Sequence, residues 1–461
     1  MSKKVFFTKV LIIRFILLIP VFIGQICAAE PAGEIPNFSA DDRVLIFAPH
    51  PDDETIGTAG VLQKALQAGA KVKVALFTNG DNNELAFIVY EKRLTFRKGE
   101  FLHMGEVRRK ETIAAMEFLG LKQEDIVFMG YPDFGTMEIL MKYWGETKSY
   151  RSMFPGQTSV PYPEALSPKV PYVGESILRD MKKVIAEFKP TKIFVSHPVD
   201  TNRDHRALYV FLRIALWDLE DTLQKPHVFP YIIHVAKWPL PRGYHPALTL
   251  EPPSEIRNGE IPWRVLVLSD DAINKKHDAI EFYKSQIECD PPYLFTFARK
   301  NELFGDYPEV RLKHQGNGDV EWYDIGITDE MGYSGVNKTK NEISYLGYAL
   351  QDNNLLIKLE LKNRILEDFE IIINLLGYNK EIDFAKMPKI QLSFGLSGLH
   401  IKEKKQPLFI KNIQFLRKRN ELILKIPLFV LGSPKYLLSS VRTHFKALPL
   451  DDSAWRVLIL E

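Results

Sequence analysis

Between Arg43 and about Leu303, short runs of β-branched and apolar residues alternate with longer helix-like stretches, and this alternation constrains the fold more than any other feature. Strands that recur with a helix between them pair in parallel, because a parallel neighbour needs a crossover long enough to hold that helix. Val44-Leu45-Ile46-Phe47-Ala48 is apolar throughout, as befits a strand covered on both faces. The pattern predicts helices over 55–67, 106–119, 173–188 and 272–287, and strands over 71–77, 126–129, 192–196 and 263–268. Beyond roughly residue 310 the period changes to two. Leu355, Ile357, Leu359 and Leu361 alternate with polar residues, as do Leu392, Phe394 and Leu396, and Leu422, Leu424 and Ile426. The expected architecture is an α/β domain with a parallel sheet over 41–306, followed over 320–461 by an antiparallel β-sandwich burying its own core. The aperiodic stretch 143–172 is expected as a lid or rim over the site.

Lys3, Lys4 and Lys9 precede a segment, 10–26, that is apolar except at Arg14, Gly24 and Gln25; Cys27-Ala28-Ala29 then offers small residues. This order reads as a signal peptide over 1–29 and a secreted or periplasmic protein. A retained membrane anchor is the alternative, and a lipid-modified Cys27 a further one. Removing the leader takes away four basic residues and no acids, so the net charge of +2 turns slightly negative. Such a balance gives no footprint for nucleic-acid binding. With 46% hydrophobic residues, wholesale disorder is excluded. Two cysteines cannot build a disulfide framework or a Cys₄ zinc site, so any metal must be held by His and carboxylates.

Two clusters meet that requirement. His50-Pro51-Asp52-Asp53-Glu54 follows the first buried strand and opens a helix. Crowded carboxylates raise one another's pKa unless a positive charge neutralises them, and a divalent metal does so; helix capping by Asp is the plainer reading. The second cluster, His197 to Ala207, also follows a strand and opens a helix. Loops at the carboxyl ends of two strands of one sheet can converge on one point. His50, Asp53 and His205 would then form a His₂-carboxylate set with open positions for water and substrate, suited to Zn²⁺ over Mg²⁺.

The same residues carry a resemblance. Ala48 to Glu54, Arg108-x-x-Glu111 with Leu119-Gly120, Gly130-Tyr131-Pro132-Asp133, Asp204-His205-Arg206-Ala207 and Tyr283-Lys284-Ser285-Gln286 are similar to motifs of the PIG-L/LmbE-like zinc-dependent N-acetylglucosaminyl deacetylases. The resemblance implies a Rossmann-like parallel sheet and hydrolysis of the acetamide of an N-acetylated sugar or glycan, with His50, Asp53 and His205 as zinc ligands and Asp52 as general base. It also suggests that Arg108 and Asp133 face the substrate. Arg108 and Glu111 could otherwise pair across one helical turn, and Phe134, standing between Asp133 and Gly135, departs from the family's P-D-G. Asn202 replaces a histidine that many members place there; it can donate a hydrogen bond but cannot protonate a leaving amine. His197 is the substitute acid in this reading, oriented by Asp200 or Asp204. His103, His234, His245 and His277 have no partner spacing and carry no assignment. Two other functions remain open: a zinc amidohydrolase acting on a non-sugar amide, and a carbohydrate-binding protein whose metal domain does not turn over.

Overall fold

The computed structural model describes residues 33–82, 98–145, 148–256, 260–316, 318–325 and 343–461, the last stretch apart from 366–367, 396, 405, 409, 411 and 447. The leader expected over 1–29 lies outside the described residues, none of whose helices is long and apolar enough to cross a membrane. The first sheet comprises β1 (Gly33–Glu34), β2 (Arg43–Ala48), β3 (Lys71–Thr78), β4 (Ile126–Tyr131), β5 (Lys192–Ser196), β6 (His227–Tyr231), β7 (Arg264–Val267) and β8 (Asn301–Phe304). Its spatial order is β1-β7-β8-β6-β5-β2-β3-β4, and only β8 runs antiparallel to its neighbours. The helices between these strands are α1 (Asp53–Gln67), α2 (Lys98–Leu119), α3 (Thr136–Lys142), α4 (Gly174–Phe188), α5 (Arg203–Asp218) and α6 (Asp270–Ile280).

Alternation along β2 shows why the sheet must be covered twice. Val44, Ile46 and Ala48 enter one apolar cluster with Ala59, Leu62 and Val74, whereas Leu45 and Phe47 enter the opposite one with Ile177, Met181 and Phe211. From β2 the chain builds outward through β3 and β4, then returns to place β5 on the other side of β2. The loops after β2 and β5 therefore part over a crevice at the carboxyl ends of the strands, where open α/β sheets collect ligands.

Two expectations are corrected. The helix over 272–287 is two helices, α6 and α7 (Lys284–Ile287), separated at Tyr283, whose hydroxyl donates to Glu54 Oε1 at 2.5 Å. The stretch 143–172 is no lid: Trp144, Val160, Tyr162 and Tyr172 are buried in the front domain's core, and Tyr162 Oη donates to Asp81 at 2.7 Å. Its many aromatic side chains give it apolar surface to bury, which an aperiodic pattern conceals.

The carboxyl-terminal strands form the expected antiparallel sheets. Ile343–Gln351, Asn354–Leu361 and Glu421–Pro427 lie in one, and Phe369–Tyr378, Lys389–Gly395, Tyr436–Phe445 and Arg456–Leu460 in the other. Leu346, Ile357 and Leu424 meet Ile371, Ile373, Val441 and Leu458 in a core between the two. The second sheet is also buried on its outer face, where Leu376, Tyr378 and Leu438 pack with Trp144, Phe211 and Trp217 of the α/β domain. Residues Ala32–Glu461 accordingly form one compact unit.

Candidate functional site

The first cluster turns sharply out of β2. Asp52 adopts φ 108°, a left-handed conformation that costs a β-carbon residue on the order of 1–3 kcal/mol. Two groups hold it there: Glu54 Oε2 accepts the Asp52 N–H at 3.0 Å, and Arg108 Nη2 lies 3.3 Å from Asp52 Oδ2 while donating to Pro51 O at 2.7 Å. Asp53 and Glu54 open α1, where its N–H groups favour negative charge. In the second cluster Asn202 caps α5, accepting the Asp204 N–H at 2.9 Å and so setting the turn that delivers His205.

The two loops do converge. Asp53 Oδ2 lies 3.2 Å from His50 Nδ1 and 3.0 Å from His205 Nε2, all three residues being buried. Single ligand atoms from His50, Asp53 and His205 fall within 4.8 Å of one another, close enough to hold one metal ion. The fit is supported by an orphan: His205 Nε2 faces Asp53 yet makes no hydrogen bond of normal geometry, as a buried nitrogen facing a cation position would. His205 Nδ1 lies 3.1 Å from Asp200 Oδ2, which also accepts the His234 N–H at 2.9 Å; this carboxylate fixes the ring and the turn after β6.

Charge is concentrated here to an unusual degree. Burial opposes protonation of His205, but Asp200 and Asp53 overcome it and raise the imidazole to about 9. His50 is likewise held well above its ordinary value, against burial, by Asp133, Asp204 and Asp53. Burial, reinforced by Asp53 and Glu54 against the opposing Arg108, pushes Asp52 well above the usual carboxylate range. Metal ligands must shed their protons, so a cation at this centre would displace them from both imidazoles.

A cavity of about 260 Å³ opens beside these groups, lined among others by Asp52, Arg108, Asp133, Asn202 and His234. Arg108 thus faces the pocket and is not paired with Glu111, which instead accepts from Ser285 N and Oγ at 2.8 and 2.7 Å. Asp133 Oδ1 reaches His50 Nε2 at 3.1 Å. The extra Phe134 is absorbed in a left-handed turn, φ 56°, whose N–H donates to Asp204 at 2.5 Å, and its ring stands 55% exposed at the cavity lip.

His197 is not brought to this cavity. It is wholly buried, stacked on Trp263 with centroids 5.6 Å apart, its Nδ1 accepting from Val199 N at 3.1 Å, and burial lowers it to about 3. Enclosed by aromatic rings, this imidazole holds the loop and is not among the residues that line the cavity. Besides His50, the cavity is lined by His234, beyond β6, with its ring 4.8 Å from that of His205 and its Nδ1 2.9 Å from Tyr293 Oη. No motif marked it; the available signal was its place just after a strand of the same sheet, the position from which both clusters also project.

Residues 45–216 match the PIG-L family, described as GlcNAc-PI de-N-acetylase. No curated protein sequence matches the chain. Similar solved structures include N,N'-diacetylchitobiose deacetylase from Pyrococcus horikoshii, at 19% identity over 57% of this chain and 83% of that one, with a TM-score of 0.35. A deacetylase of the teicoplanin biosynthesis pathway gives 18% identity over 57% and 96%, TM-score 0.37. The 4-carboxy-2-hydroxymuconate hydratase of Pseudomonas putida gives 16% over 55% and 82%, TM-score 0.35. Over residues 45–216, less than half of its length, the chain is thus similar to the PIG-L family.

Proposed function

We propose that this protein is a secreted, zinc-dependent deacetylase that hydrolyses the N-acetyl group of an N-acetylated amino sugar or glycan. The observation that carries the reading is the convergence of His50, Asp53 and His205 beside Asp52 at the edge of one cavity, in a domain similar to a family described as de-N-acetylases. Two imidazoles and one carboxylate suit zinc, which when bound supplies an activated water and an electrophile for the acetamide oxygen.

The chain's own residues then divide the work. Asp52, a carboxylate oriented by Arg108 and made more basic by burial, takes a proton as water adds to the acetamide carbon, and returns it to the nitrogen as the C–N bond breaks. His234 is lowered by burial, so it is neutral near pH 7. In the tautomer where Tyr293 Oη donates to Nδ1, its Nε2 carries the proton and can donate a hydrogen bond to the developing oxyanion, beside Asn202, whose Oδ1 caps α5 while its Nδ2 can still donate. Asp133 and Arg108 offer an acceptor and donors to the hydroxyls of a sugar ring.

Acetate release by two variants tests the division between the histidines. His234→Ala is expected to lower kcat by about 10²–10³ with KM little changed, the usual loss on removing one oxyanion donor. His197→Ala is expected to lower thermal stability and leave kcat near that of the parent, since His197 packs in the core. A His197→Ala enzyme that folds normally and has lost turnover would return the role to His197.

A further inference from the structure

The outer face of the carboxyl-terminal sheet changes character along one pair of strands. On Phe369–Tyr378 and Tyr436–Phe445, residues two apart share a face. Tyr378, Leu376, Tyr436 and Leu438 on that face pack on the α/β domain; one step further the same rows present Asn374, Ser440 and Arg442. These polar residues do not seal against the domain. They line a cavity of about 80 Å³, closed on the far side by Glu138 of α3 and by Arg203 and Arg206 of α5. That is well above the ~10–15 Å³ a single water requires.

Its charges do not balance. Arg203 is paired with Glu138 at 3.3 Å and Arg206 with Asp452 at 2.9 Å. Arg442 makes no hydrogen bond or ion pair with any of the described residues, and its Nε is buried without an acceptor. Burial accordingly lowers its guanidinium from the ordinary value. Asp452, Glu138 and Glu370 oppose that shift without a direct ion pair to Arg442, and a half-buried guanidinium without such a partner is costly to keep.

Beside it runs a polarised relay. Gln391 Nε2 donates to Asn374 Oδ1 at 3.0 Å, and Asn374 Nδ2 donates to Ser440 Oγ at 3.1 Å. Ser440 Oγ therefore already accepts one bond and retains an O–H to donate, on a residue that lines the cavity. Guanidinium and hydroxyl together present donors to a small anion, in the fork geometry that suits a carboxylate or sulfate.

We infer that the cavity between α3, α5 and the carboxyl-terminal sheet is an anion subsite, built on Arg442 and Ser440, for the carboxylate or sulfate group of a glycan. None of the three candidate metal ligands lines it, although Arg203 and Arg206 flank His205 on α5, and the glycan as bearer of the anion rests on the function proposed above. The subsite gives the carboxyl-terminal sheets a recognition role on the face that meets the α/β domain.

The test is equilibrium titration of the full chain with sodium glucuronate and, separately, sodium sulfate at constant ionic strength, followed by tryptophan fluorescence, since Trp455 also lines the cavity. Methyl glucoside serves as the neutral control. Saturable binding of at least one anion and none of the neutral sugar is expected, weakened tenfold or more in Arg442→Gln and measurably in Ser440→Ala; which anion binds identifies the group. His205→Ala is expected to bind the anion as the parent does, separating this site from the metal centre. Absence of saturable binding by either anion, or equal affinity in parent and Arg442→Gln, would overturn the proposal. Should Arg442→Gln fail to fold, unchanged affinity in Ser440→Ala would do the same.

Discussion

Asp52→Asn is expected to keep its metal and to lose about 10²–10⁴ in kcat, the range that general acid–base catalysis contributes. The substitution is nearly isosteric. Its amide can still take up the Arg108 contact in part, and the three candidate ligands, His50, Asp53 and His205, are untouched. What disappears is a group that can hold the proton of the attacking water. Metal content by elemental analysis and acetate release on the same preparation separate the two effects. A fully active Asp52→Asn enzyme would refute the assignment of the base; one that has also lost its metal would show that Asp52 serves the metal site itself.

His205→Ala is expected to abolish both metal retention and turnover. His205 Nε2 and His50 Nδ1 meet on Asp53 Oδ2, and the set has no spare imidazole at that oxygen. Its protonation gives an independent readout. Folding raises His205 from about 6.5 to about 9, so in the metal-free protein its imidazolium adds stability below pH 6.5, a contribution on the order of 3 kcal/mol that is lost as pH rises to 9. Metal-free parent protein should lose thermal stability over that window and His205→Ala should not show the same slope. Zinc added to the parent near pH 7.5 should release protons, measurable by calorimetry in buffers of different ionisation enthalpy. Full zinc retention in His205→Ala would remove the proposed centre.

Much of this could be read before any coordinates. The unbroken apolar run of β2 announced a strand covered on both faces, and the two His/Asp clusters announced their own convergence, because each follows a strand of one parallel sheet. The failures have physical causes. His197 sits in the loop that leads into α5 and His205, but chain proximity does not decide which way a ring points; Trp263 and Tyr307, distant in sequence, enclose it. His234 was invisible because its meaning comes from β6 lying next to β5, a pairing that no local spacing encodes. The outer face of the sheet containing Phe369–Tyr378 was hidden for a related reason. A strand buried on both sides reads as a continuous apolar run, here Ile371-Ile372-Ile373 and Leu375-Leu376, and such a run does not say what covers it.

The most direct test of the central claim is acetate release from a panel of N-acetylated glycans by the full chain, first stripped of metal and then reconstituted with zinc. The account predicts that the stripped protein is inactive and that one equivalent of zinc restores equimolar release of acetate and free amine from at least one member. Undiminished release by the stripped protein, or no release from any member by zinc-loaded, correctly folded protein, would contradict it.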